Sequence, residues 1–62
     1  MAIRIKTLSL TAERLDAIKT RYEKVNASIL ERADCLIVSG LTEQIIVIAN
    51  DEKLEWMDDL ND

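Results

Sequence analysis

The sequence predicts a small α+β domain of element order β-α-β-β-α, with a two- or three-stranded sheet packed on one long helix. Three observations predict it. Residues 2–8 alternate apolar and charged side chains, and residues 12–33 place apolar side chains at intervals of three and four. Residues 33–49 hold the densest apolar and β-branched content of the chain, interrupted around its only glycine, Gly40.

The first strand is expected over about residues 2–8. Ile3 and Ile5 point one way and Arg4 and Lys6 the other, the period of two of a strand with one wet face. Charged outward positions suit a place at or near a sheet edge.

The long helix is expected over about residues 12–33. Thr11 offers a hydroxyl as N-cap, Glu13 stands where the helix dipole favours a negative charge, and Leu10 and Leu15 have the spacing of a hydrophobic staple. Leu15, Ile18, Tyr22, Val25, Ile29 and Ala33 then line one stripe. Arg14, Arg21 and Arg32 border that stripe. Their stems are suited to covering apolar surface with their heads in water; the sharper alternative is an acceptor groove for a carboxylate-rich partner.

Two further strands are expected over about residues 35–38 and 44–49, joined by a loop from Ser39 to Glu43 in which Gly40 supplies a positive φ. One face of this hairpin would hold Cys35, Ile37, Ile45 and Val47, the other Leu36, Ile46 and Ile48, so both faces need cover. A short acidic helix over about residues 51–60, capped by Asn50 and turning Leu54, Met57 and either Leu60 or Trp56 inward, would close the chain.

A chain of 62 residues makes one domain, residues 1–62, and buries only about 60% of its unfolded surface. Small domains usually gain stability from disulfides, a metal or a second copy. The single cysteine, Cys35, and the absence of histidine argue against the first two, and no cofactor is expected. Two apolar sheet faces on so short a chain therefore point to a homodimer. The longest apolar run, Ile45 to Ala49, is far below the roughly 20 residues of a membrane span, and Arg4 and Lys6 precede no apolar leader. No membrane association and a cytoplasmic location are expected.

The net charge of −4 is unevenly placed. Residues 1–33 carry seven basic and four acidic side chains, whereas residues 34–62 carry Lys53 alone against eight acids. Without histidine the common nucleophile–base pairs cannot form, and one glycine cannot make a phosphate-cradling loop, so an enzyme is not expected. Nucleic acid is an unfavourable direct ligand, because the basic residues are interleaved with acids and Tyr22 lies on the apolar stripe.

The C-terminal stretch DEKLEWMDDLND is the strongest functional candidate. Asp51, Glu52, Glu55, Asp58 and Asp59 surround the only tryptophan, Trp56, a residue type that often anchors interfaces. The expected function is a non-enzymatic protein-binding module, a small inhibitor or adaptor. Its acidic surface would engage a basic partner, including one that binds nucleic acid and is deceived by mimicry of phosphate charge. In size and acidic end the chain is similar to small phage-encoded inhibitors of host enzymes, the anti-defence type included, without a shared motif. The alternatives are a dimeric nucleic-acid-binding regulator of antitoxin type using the basic first half, and a structural assembly subunit.

Overall fold

The computed structural model describes residues 1–59. Its elements are β1 (Ala2–Lys6), α1 (Ala12–Lys24), β2 (Ser28–Glu31), β3 (Cys35–Ser39), α2 (Thr42–Asp51) and β4 (Trp56–Asp58). The four strands form one antiparallel sheet of order β2-β3-β1-β4. The fold class is thus α+β, but the order is β-α-β-β-α-β, and the sheet has four strands where two or three were expected. This is the split β-α-β topology of ferredoxin-like folds. In each half, β1-α1-β2 and β3-α2-β4, a strand from the other half lies between the two that the helix connects. The first strand is therefore interior. Its Arg4 and Lys6 face away from the helices and guard no edge.

The start of α1 follows the local signals: the Thr11 hydroxyl accepts from the Arg14 backbone N–H at 3.1 Å, and Leu10 and Leu15 both pack against the core. Its end does not reach Ala33. Asn26 has φ 59°, the Ala27 N–H donates to the Tyr22 carbonyl at 3.1 Å, and the Asn26 N–H donates to Glu23 at 3.0 Å. These paired bonds close a helix on a left-handed residue, and Asn tolerates that conformation better than other side-chain-bearing residues. Ser28–Glu31 then turns back as a strand and forms the observed hairpin with β3, Leu30 opposite Ile37.

The largest correction concerns residues 44–49, which are helical within α2. Period-two and helical readings compete in any short apolar run. As a helix the run turns Ile45, Ile48 and Ala49 to one side, and all three are buried. Ile46 is half-buried and Val47 is exposed. Four β-branched residues in a helix cost roughly 0.5 kcal/mol each against the best helix formers, whereas burying one isoleucine contributes about 1.5–3 kcal/mol. Burial decides. Gly40 does not adopt a positive φ either; a Cβ there would stand 3.2 Å from Ile45 Cγ2 and 3.5 Å from Ala27 Cβ, so the residue permits close approach of the α2 entry to the α1 exit.

The expected closing helix over residues 51–60 is replaced by the end of α2, a turn and β4; Leu60 and Asp62 lie outside the described residues. Asn50 lies in the last turn of α2 and caps nothing that follows. Here α2 stops as α1 does: Lys53 has φ 55°, Leu54 N–H donates to Ala49 at 2.9 Å, and Lys53 N–H donates to Asn50 at 3.1 Å.

Both helices cover one sheet face. Ile3 and Ile5 of β1 and Leu36 and Val38 of β3 meet Ile18, Tyr22, Ile45, Ile48 and Ala49, all buried. A second, smaller cluster of Ala2, Cys35 and Ile37 lies on the opposite face. No helix among the described residues is long and apolar enough to cross a membrane.

Lys53 holds a left-handed conformation that costs a side-chain-bearing residue roughly 1 kcal/mol. Lys53→Gly is expected to raise stability by about 0.5–1 kcal/mol in urea denaturation, despite the entropy glycine adds to the unfolded chain.

Candidate functional site

The acidic residues singled out from the sequence reach three different surroundings. Asp51 and Glu52 stand at the C-terminus of α2, whose last turn carries no basic residue to oppose the negative end of its dipole. The cations come from α1 instead. Arg21 donates to the Glu52 carboxylate at 2.8 Å and to Asp51 at 3.4 Å, and Arg14 donates to the Glu52 backbone carbonyl. Arg14 and Arg21 are two turns apart on one edge of α1, so both reach the same helix end. The hydrogen bond to Glu52, followed by that to Asp51, raises the Arg21 pKa further, outweighing partial desolvation. The carboxylate-rich partner suggested by this arginine edge is therefore the chain's own α2. Arg32 is elsewhere, in the turn between β2 and β3.

Glu55 and Asp59 flank β4 and turn toward the helix-free face of the sheet. Glu55 lies 3.6 Å from Lys6, both exposed, a pairing worth little. Asp59 meets Arg4 at 3.2 Å with its side chain only 10% exposed, and its N–H donates to the Ala2 carbonyl at 3.0 Å. Asp58 is exposed and has no ion-pair partner among the described residues. Trp56 is half-buried against the core, and its indole N–H donates to Asn50 Oδ1 at 3.2 Å. The six residues therefore do not form one uninterrupted acidic face. Only Asp58 carries a charge wholly free of basic neighbours at ion-pair distance.

Other features were not marked by sequence reasoning. A cleft of about 490 Å³ between the helices is floored by Val25, Val47 and Ile48 and flanked by Lys24 and Glu43. A smaller one, about 320 Å³, runs beside β4 between Arg4, Lys6 and the residues Leu54 to Met57. The helix-free sheet face exposes Leu30 and Met57 by 53% and 54%. Leu30 falls outside the apolar stripe of the expected helix and the helical reading of residues 51–60 turns Met57 inward, so the sequence signals this exposed pair only by their poor fit to those elements.

Lys19 joins α1 to β2 through Glu31 at 2.9 Å; this hydrogen bond raises its pKa against an opposing desolvation. Tyr22 is fully buried, donates to the Ile45 carbonyl at 2.9 Å, and ties the two helices together. Burial pushes its phenol up to about 12, with Glu52 adding to the rise and Arg21 opposing it.

No family model, curated protein or solved structure matches the chain.

The Tyr22 geometry sets two expectations. Tyr22→Phe should lower stability by about 1 kcal/mol in urea denaturation, with the circular dichroism of the folded state unchanged. In the unmodified protein the phenol is neutral when folded and ionises near pH 10 when unfolded, so its contribution is complete below about pH 10 and is lost as the pH rises toward about 12. A phenolate absorbance titration beside denaturation at each pH checks both the shift and its sign; Tyr22→Phe should flatten the alkaline loss.

Proposed function

We propose that this chain is a non-enzymatic protein-binding module, a cytoplasmic, self-associating inhibitor or adaptor that presents the acidic margin around β4 to a basic protein partner. The observation that carries this reading is β4 itself: among the described residues it is an edge strand with no strand beyond it and no cation at Asp58, with Glu55 and Asp59 beside it and Trp56 and Met57 partly accessible. A free edge offers backbone N–H and C=O groups to an added strand, and flanking side chains select which strand is accepted. Acidic flanks select a basic one. The Glu55–Lys6 pair is exposed and weak, so a partner's cation replaces Lys6 at little cost.

A protein whose own ligand is nucleic acid has a suitable basic surface, and occupation of that surface by carboxylates inhibits it without chemistry. Asp51 extends the acidic margin at the α2 end, whereas Glu52 is held more closely by Arg21. Trp56 contributes its accessible edge while its buried side keeps β4 on the core.

The reading is tested with intact protein used to capture its partner from lysate of the native host, followed by titration of the isolated pair. Asp58→Lys with Glu55→Lys leaves the buried core untouched and is expected to weaken binding at least tenfold, with a flatter dependence on salt. Unchanged affinity of that variant would remove the acidic margin as the binding surface. A mobility shift with DNA or RNA at low salt would instead favour the antitoxin-type alternative.

A further inference from the structure

We infer that the helix-free sheet face is where a second copy of this chain docks, with a two-fold axis lying between the faces and parallel to the strands. The inference rests on the self-association proposed above and assigns it a face and an orientation. Strand register places Leu30, Ile37, Arg4 and Met57 in one row across the four strands. The row beside it runs from Arg32, just past β2, through Cys35 and Lys6 to Glu55; the bonds from Arg32 N–H to the Cys35 carbonyl and from Lys6 N–H to the Glu55 carbonyl continue the ladder.

The centre of the face is already closed. Ile37, Cys35 and Ala2 are buried, and Arg4 is neutralised by Asp59. The apolar side chains left half-exposed are Leu30 and Met57, on the two opposite edge strands.

Charge selects among the ways two such faces can meet. An axis parallel to the strands exchanges the β2 and β4 margins. Leu30 then lies over the copy's Met57 and Arg32 over the copy's Glu55, and each contact occurs twice. Arg32 has no ion-pair partner among the described residues, so that contact supplies its counter-charge. An axis across the strands places each β4 margin on itself, which sets Glu55 against the copy's Asp59 and Leu30 against the copy's Leu30. Like charges oppose the second arrangement, and unlike charges with apolar contacts favour the first. Two faces stacked this way keep their strands within about 30° of alignment, so the row pairing survives the sheet twist.

With strands about 4.8 Å apart, the face is roughly 15 Å wide, which places the interface at the small end of specific contacts, below about 1,200 Å² in total. A dimer that dissociates on dilution is expected, and a basic partner that takes Glu55 and Met57 competes with the second copy for them.

The test uses the full chain with Cys35→Ala as background. Leu30→Cys and Met57→Cys are prepared singly and together; both positions are half-exposed, and circular dichroism checks that the fold is kept. Stacked faces lie about 10 Å apart, beyond the reach of a direct disulfide, so a bis-maleimide of about that span is used: the double variant should cross-link to a covalent dimer, and a mixture of the two single variants should give the mixed dimer. Either single variant alone should remain uncross-linked. Leu30→Asp with Met57→Asp, with Cys35 retained, should shift sedimentation to monomer. Self-cross-linking of Leu30→Cys alone would overturn the orientation. If the unmodified protein sediments as a dimer while the double cysteine variant stays uncross-linked, the copies meet on another face and this inference fails while self-association stands. A protein that remains monomeric across the concentration range overturns both.

Discussion

The structure depends on the apolar seam between its two central strands. Ile3 and Ile5 on β1 face Leu36 and Val38 on β3, and all four are fully excluded from water. Strand pairing alone leaves one side of that seam wet, so each half of the chain supplies a helix to cover it. Ile18 and Tyr22 arrive from α1, and Ile45, Ile48 and Ala49 from α2. Both helices sit on the same side, in a crossed arrangement in which each half places its second strand outside the other's first. Within it, the Tyr22 hydroxyl bond to Ile45 fixes where one helix lies along the other.

Helix length is controlled by backbone conformation more than by the apolar pattern. The stripe of α1 continues through Val25 to Ile29 without a break in spacing, yet the left-handed turn at Asn26 redirects the chain so that Ile29 reaches the sheet as part of a strand. Lys53 plays the same part after α2 and delivers Trp56 to the sheet edge. A polar asparagine within an apolar stripe was a visible sign. Lysine carries no such sign, because its left-handed conformation is imposed by the contacts on either side of it.

Charge placement has a comparable history. The basic first half and acidic second half are plain in the sequence, and the fold brings them together at Arg21 with Asp51 and Glu52, Arg4 with Asp59, and Lys6 with Glu55. These contacts join residues 30 to 55 positions apart, so which acids would be neutralised depended on topology. Part of the asymmetry is thereby spent within the molecule; among the described residues of the acidic half, Asp34, Glu43 and Asp58 are left without an ion-pair partner. Trp56 likewise serves the core with one side and faces solvent with the other.

The sequence by itself determined the α+β class, the first strand, the Thr11 start of α1, and the burial of Cys35–Val38, because each follows from side-chain period or a local hydrogen bond among near neighbours. Only the tertiary structure decided that residues 44–49 form a helix, that Ser28–Glu31 and Trp56–Asp58 are strands, and that β1 is interior. A five-residue apolar run satisfies helix and strand about equally well, and short edge strands owe their existence to a neighbour's unpaired backbone. Their conformations are set by what lies opposite them, and nothing within the segment records that.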